Sequence, residues 1–466
     1  WDASPGTAPT NLYADVMPAV ETPSMTPDIE DASGAPIRLF MRDLADLSDS
    51  GAGAGWEGIR ALASAYQEWI KLRKKEAGSL QPEYLRPVAL QHVARCEACL
   101  KRIERGVALL EEDGVVRHAF RLANLAMLLQ QIATKQLGRR DLELVWNGKT
   151  PRVRPAGEHR SPWSLLKQNA LKAGIGSWRA FQMAFLLMQL QGMSREDDSE
   201  RQVVDLIWFP TGGGKTEAYL GVMAFYMFHQ RLLMRSGGNA QRRDGTNVLM
   251  RYTLRMLTTQ QFQRAASLVC AMEFLRRTPA AHGLGELPGE RFSLALWIGS
   301  DGAPNKIRDA RAKLTAFRAG DGSGNPLVLT ECPWCRAQIG RMEGANPAGL
   351  KGRQWNDIRV AGVTNHETQG PLLHCPDPKC CFGGESWEGW LPVEVIDERI
   401  YLTHPSLVIA TADKCAMSGG RSHIRTGTQW KLRRAGAHAP RTDHPGRAAP
   451  HRRPTRHDVR TLRGRD

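Results

Sequence analysis

Val203-Val204-Asp205-Leu206-Ile207-Trp208-Phe209-Pro210-Thr211-Gly212-Gly213-Gly214-Lys215-Thr216 is the stretch on which the reading of this chain turns. The run 203–209, apolar but for Asp205, reads as a buried strand, and a tight glycine turn follows it. Residues 216–235 then carry the apolar face of a long helix. Strand, glycine loop and helix in that order gather backbone N–H groups and a helix N-terminus around one anion. Lys215 is placed to neutralise the β and γ phosphates of a nucleotide, and Thr216 to offer its hydroxyl to Mg²⁺. The sequence therefore predicts an ATP site made by Pro210, Thr211, Gly212, Gly213, Gly214, Lys215, Thr216 and Glu217, with Lys215 and Thr216 as its catalytic residues.

Further apolar runs, 247–252, 293–298 and 406–411, alternate with helical segments. That alternation predicts an α/β lobe over 177–418, a parallel sheet flanked by helices. Upstream, Ile103, Val107 and Leu110, then Phe120, Ala123 and Leu128, recur at helical spacing, which predicts a helical accessory domain over 56–146. Residues 1–55, rich in Pro, Ala, Gly and Ser, read as a weakly structured lead-in, and 147–176, where Pro and basic residues crowd, as a linker. A Gly-, Pro- and Cys-rich segment over 322–389 interrupts the lobe and reads as an inserted small domain.

The 466 residues carry a net charge of +15, but most of it lies at one end. Between Arg421 and Asp466, 12 Arg and one Lys face three Asp, so the tail holds +10 and the body is only mildly basic. A mildly basic body is compatible with DNA binding without arguing for it. No apolar run reaches the roughly 18 residues of a membrane span, and no secretion pattern opens the chain. A cytoplasmic protein without membrane contact is the expectation. The first residue is Trp1 rather than Met, as in a fragment whose beginning lies upstream. The tail over 419–466 has almost no apolar periodicity. It reads as a disordered basic arm or, the favoured reading, as out-of-frame translation of a GC-rich gene, because the break falls inside a motif-bearing lobe.

Nine Cys without an export signal point to thiols or metal rather than disulfides. Cys332-Pro-Trp-Cys335 and Cys375-Pro-Asp-Pro-Lys-Cys380 are two pairs able to converge on one tetrahedral structural Zn²⁺, with the 39 intervening residues looped out. A zinc-ribbon-like insertion follows. Cys381 is an alternative to Cys380, and His374 is a further candidate ligand. Cys96 and Cys99 sit mid-helix with no matching second pair and read as structural.

The glycine loop has Phe209 where the general phosphate-loop pattern has Gly, and Pro-Thr-Gly-Gly-Gly-Lys-Thr is the form found in superfamily 2 helicases, whose first lobe is RecA-like. Other segments resemble motifs of that superfamily in the same order. Thr253-Leu254-Arg255-Met256-Leu257-Thr258-Thr259-Gln260 is similar to motif Ia, in which Thr253, Arg255 and Gln260 would hold the phosphates of a single strand. The turn at Gly299 and the strand ending in Thr411-Ala412-Asp413-Lys414 resemble two further nucleic-acid-facing motifs. Gln182, about thirty residues ahead of the loop and close to Trp178 and Phe181, stands where these proteins place a Gln against adenine. Asp397-Glu398 mimics the Mg²⁺-holding Asp-Glu of helicases but precedes the Thr-x-Asp-Lys turn, the reverse of the superfamily order. It reads as an ordinary strand-end or turn pair.

Together with the Cys-rich insertion, the stretches 208–221, 250–255, 391–401 and 411–414 resemble the large helicase subunit of DISARM-type bacterial anti-phage systems, over about residues 56–418. The resemblance implies an ATP-dependent DNA helicase or translocase, with DNA and a second subunit of a defence complex as partners. Members of that family continue into an Asp-Glu-x-His box and a second RecA-like lobe, where this chain enters its Arg-rich tail. The alternative reading is a nucleotide-gated DNA-binding or assembly module without ATP turnover.

Overall fold

The computed structural model describes residues 29–208 except 32, 214–235, 245–252, 259–299, 302–320, 328–344, 350–384 except 351, 386, 389–412 and 414. The Arg-rich tail and residues 1–28 lie outside this set.

Three of the expected strands form, as Val248–Tyr252, Leu294–Trp297 and Leu407–Thr411, and the short Val393–Glu394 joins them. All pair in parallel, in the order Val248–Tyr252, Leu407–Thr411, Leu294–Trp297, Val393–Glu394. The two middle strands are buried at every position, as strands covered on both faces must be. Their alternate side chains part into two cores. Leu294, Leu296, Leu407 and Ile409 enter the main core, whereas Ala295, Trp297, Val408 and Ala410 pack with Ile400 on the opposite face. The fold is thus mixed α/β, a parallel four-stranded sheet flanked by helices.

The helices of the amino-terminal half are Ala54–Ser79, Arg86–Glu112 and Gly114–Gln131. Asp113 separates the last two and caps the second, its carboxylate accepting from the N–H groups of Val115 and Val116 at 2.9 and 3.1 Å. Gly114–Gln131 packs on Lys215–Arg235 and Thr259–Arg277, so these helices share one core with the sheet.

Three sequence boundaries are corrected. The lead-in 1–55 is built into the core from Leu39 onward: Leu39, Met41, Leu44 and Leu47 are each at most 2% exposed, and Trp178 N–H donates to Leu39 O at 2.9 Å. The expected edge between helical domain and linker is crossed by a β-hairpin, Leu142–Asn147 paired antiparallel with Thr150–Pro155. The run expected as the strand 203–209 forms no strand over its described residues 203–208. Val204, Leu206 and Trp208 are 94%, 86% and 81% exposed, and Asp205 is held by Arg102 at 2.6 and 2.8 Å on the helix Arg86–Glu112. This run joins neither edge of the sheet, and the Arg102 to Asp205 pair ties it to the helix Arg86–Glu112 instead.

Gly106 tests the packing of the helix Arg86–Glu112 on Ala180–Ser194. A Cβ there would stand 2.2 Å from Leu187 O, a backbone atom that does not give way. Gly106→Ala is expected to destabilise the fold by about 1–3 kcal/mol. Gly78→Ala, on a helical position with nothing within 4 Å, is expected to stabilise it by about 0.5–1 kcal/mol. Urea unfolding of the two variants beside the parent reads both signs.

Candidate nucleotide and metal sites

Pro210, Thr211, Gly212 and Gly213 lie outside the described residues, so the loop is seen at its exit. Gly214 has φ +88°, a conformation that favours glycine, and a Cβ on it would meet Gln182 Nε2 at 2.6 Å. Gln182, 4% exposed, donates from that nitrogen to Gly214 O at 2.8 Å. Its Oε1 accepts from Arg179 N–H at 2.8 Å. The amide expected to read adenine is thus engaged at both ends by backbone, and it fixes the point at which loop becomes helix. Lys215 opens the 21-residue helix Lys215–Arg235, and Lys215 and Thr216 are both half-buried.

Glu217, expected at the nucleotide, is 5% exposed and turns to Arg264 on the helix Thr259–Arg277. Lys135, whose ammonium burial pushes down and Glu217 pulls back up, stands beside them. The helix that follows the phosphate loop is therefore ion-paired to the helix that follows the motif Ia segment. An apolar cavity of about 630 Å³ lies nearby, between Tyr66 and Trp69, Phe181 and Phe185, and Trp208. No Lys or Arg lines it, so it is no seat for phosphate.

Because the strands are parallel, their carboxyl ends share one edge of the sheet, with Tyr252 opposite Thr411 and Trp297 opposite Ala410. That edge is where open α/β sheets bind ligands. Thr253 and Arg255 lie outside the described residues. Gln260, in the first turn of Thr259–Arg277, and Gly299, two residues past Leu294–Trp297, are exposed there. The other two expected contacts have partners within the fold. Thr411 is 3% exposed, and the Lys414 ammonium is engaged by Asp397 Oδ2 at 2.5 Å and Asn305 Oδ1 at 3.5 Å. Burial pushes the Asp397 carboxyl above its ordinary pKa, against the opposing pull of Lys414. Glu398 accepts from Ile307 N–H at 2.9 Å. Asp397 and Glu398 open the short helix Asp397–Thr403.

The insertion brings its two cysteine pairs together. Cys332, Cys335, Cys375 and Cys380 are at most 3% exposed, and their sulfurs all lie within 4.8 Å of one another. A tetrahedron with Zn–S bonds of about 2.3 Å has sulfurs about 3.8 Å apart, so the set fits a zinc ion. Each pair is a backbone turn aimed at the centre. Arg336, at φ +62°, folds the first back so that its N–H reaches Cys332 O at 3.0 Å. In the second, Cys375 N–H donates to Phe382 O at 2.8 Å and Asp377 N–H to Cys375 Sγ at 3.4 Å. Burial pushes the Cys332 and Cys375 thiols far up, whereas the Cys332, Cys375 and Cys380 thiols around Cys335 pull it down.

The two alternatives fall away by position. Cys381 stands outside the four, and His374 bonds Cys375 O at 3.0 Å and Thr364 Oγ1 at 3.2 Å. Cys96 and Cys99, both half-buried, join no metal-holding cluster among the described residues. Three residues that the spacing did not reveal surround Cys335: Arg140, His159 and Asp377. They carry no motif, and only the fold assembles them.

A parallel four-stranded sheet with helices and a buried four-cysteine cluster describe a mixed α/β protein. No family model matches the chain. It is similar to the DISARM protein DrmA of Bacillus paralicheniformis, 30% identical over 436 residues, which take in 89% of this chain and 33% of that protein. This similarity supports a DrmA-like protein, and the chain spans about a third of the length of that relative.

Lys414 and Asp397, 13% and 6% exposed, make a specific expectation. Lys414→Met leaves a buried carboxylate unpaired and is expected to cost about 3–5 kcal/mol. The double variant Lys414→Met with Asp397→Leu should recover much of that loss in urea unfolding, a pattern that an exposed DNA-contacting lysine would not give.

Proposed function

We propose that this chain is the first motor lobe of an ATP-dependent DNA helicase or translocase of superfamily 2, RecA-like in fold, acting in cytoplasmic anti-phage defence beside a second subunit. The observation that carries the reading is the loop exit. A glycine in a left-handed conformation, held by Gln182, delivers Lys215 to the start of a long helix at the flank of a parallel sheet. In this reading the backbone of Pro210 to Gly214 cradles the phosphates, Lys215 neutralises them and Thr216 holds Mg²⁺. Gln182 acts on ATP through the loop that it fixes. Thr253, Arg255, Gln260 and Gly299 position a DNA strand along the carboxyl edge, and the Glu217 to Arg264 pair links the two sites. The similarity to DrmA supports the defence role, and the four cysteines hold a structural Zn²⁺.

One observation favours the second reading, nucleotide-gated DNA binding or assembly without turnover. The Asp-Glu pair at 397–398 is engaged by Lys414 and by the Ile307 N–H.

Binding of a fluorescent ATP analogue is expected, and Lys215→Ala should weaken it by roughly 10- to 100-fold, the worth of one charged hydrogen bond to phosphate. ATP hydrolysis that single-stranded DNA stimulates and Lys215→Ala abolishes supports the motor. ATP binding with turnover equal to that of the variant supports the gated module, and unaltered ATP binding by Lys215→Ala sinks both. Metal analysis is expected to find about one zinc per chain, with Cys332→Ser well below that.

A further inference from the structure

Four thiolates around one divalent cation leave a net charge of about −2 in a buried site, which needs hydrogen-bond donors or cations close by. The structure supplies them from outside the insertion. Arg140 Nη2 stands 3.2 Å from Cys335 Sγ and 2.7 Å from Asp377 Oδ2. That nitrogen bears two hydrogens, one for each acceptor. His159 Nδ1 is 3.0 Å from the same Asp377 oxygen, and the imidazole, Cys335 Sγ and the carboxylate lie within 4.8 Å of one another. The other Asp377 oxygen accepts from Lys379 N–H at 2.9 Å, while Asp377's own N–H points at Cys375 Sγ. One aspartate therefore touches both cysteine pairs, directly at Cys375 and through Arg140 at Cys335.

His159, Cys335 and Asp377 could themselves be taken for a second metal site. The guanidinium decides against it, because Arg140 already bonds both the sulfur and the carboxylate and brings a permanent positive charge to the place of the cation.

Arg140 and His159 flank the β-hairpin Leu142–Asn147 with Thr150–Pro155 on its two sides. Backbone bonds join the same place. Arg140 N–H donates to Arg336 O and Gln338 N–H to Arg140 O, both at 2.9 Å, and Leu142 N–H reaches Gln338 Oε1 at 3.0 Å. From this we infer that Arg140, His159 and Asp377 are positioning residues for the metal centre, and that through them the loaded centre clamps the hairpin-bearing connector 139–160 onto the insertion. Metal loading and the seating of the connector are then one event. The inference rests on the zinc reading of the four cysteines.

The test uses the whole chain, with zinc as the probe. Zinc content is measured first, then its release to a chromophoric chelator, then tryptic cleavage after Arg152 and Arg160. The parent is expected to hold about one zinc, to resist cleavage there when loaded and to be cut once chelated. Arg140→Ala and His159→Ala should still take up zinc but release it about 10- to 100-fold faster, the usual effect of losing an outer-sphere partner. They should also be cut in the loaded state. Arg154→Ala, which removes a side chain paired only with Glu143 and 62% exposed, should release zinc as the parent does. If Arg140→Ala does not fold, Arg140→Lys keeps the charge without the planar two-way contact, and the thiolate-to-metal absorption of its cobalt-loaded form should shift. Release rates and cobalt spectra equal to the parent's overturn the clamp and leave the zinc centre standing. A parent that binds no zinc overturns both.

Discussion

The constraint on which the structure depends is the burial of one helix. In Gly114–Gln131 every residue from Leu122 to Gln131 is buried, so the helix has no face for water and must be enclosed. Lys215–Arg235, Thr259–Arg277 and the early helix Met41–Ala45 enclose it. Two of its polar residues reach the segment 176–178. Asn124 accepts from Trp178 Nε1 at 2.7 Å, and Gln131 Oε1 accepts from Gly176 N–H at 3.0 Å. Both bonds fix the segment that leads into Arg179 and Gln182, and Gln182 in turn holds Gly214. The position of the phosphate-loop exit is thus inherited from the packing of a helix that contributes no residue to it.

Charge is treated in one manner throughout. Arg399 meets Glu394 through two bonds of 2.6 and 2.7 Å with both side chains at most 4% exposed, and Arg276 grips Glu273 in the same two-pronged way. Buried pairs of this geometry cost desolvation and return little net stability, but they fix register because a misplaced partner leaves a bare charge. The pairs Glu217 with Arg264 and Lys414 with Asp397 follow the rule beside the candidate sites. Each takes a side chain whose type suggested ligand binding and gives it to a neighbouring element.

The four-cysteine cluster was legible because metal geometry acts over short sequence distance, two residues in one pair and four in the other. Arg140 was not, since 195 residues separate it from Cys335 and 237 from Asp377. The strands 248–252, 294–297 and 407–411 were legible because short, mostly apolar runs between helical segments fit a buried parallel sheet. The equally apolar 203–208 was misread. Its composition suits burial, but Arg102 on the helix Arg86–Glu112 holds Asp205, and Val204, Leu206 and Trp208 stay exposed.

By itself the sequence determined the α/β pattern, the glycine turn that ends at Gly214 and leads into the helix opened by Lys215 and Thr216, and the pairing of Cys332 and Cys335 with Cys375 and Cys380. Each is a local matter, set by side-chain period, by glycine's freedom at positive φ, or by the reach of a cysteine pair. The tertiary structure alone decided that Gln182 holds Gly214, that Lys414 is bound to Asp397, and that Arg140 and His159 meet Asp377 beside Cys335. Those outcomes depend on which polar groups meet when water is excluded, and a one-dimensional spacing does not contain that information.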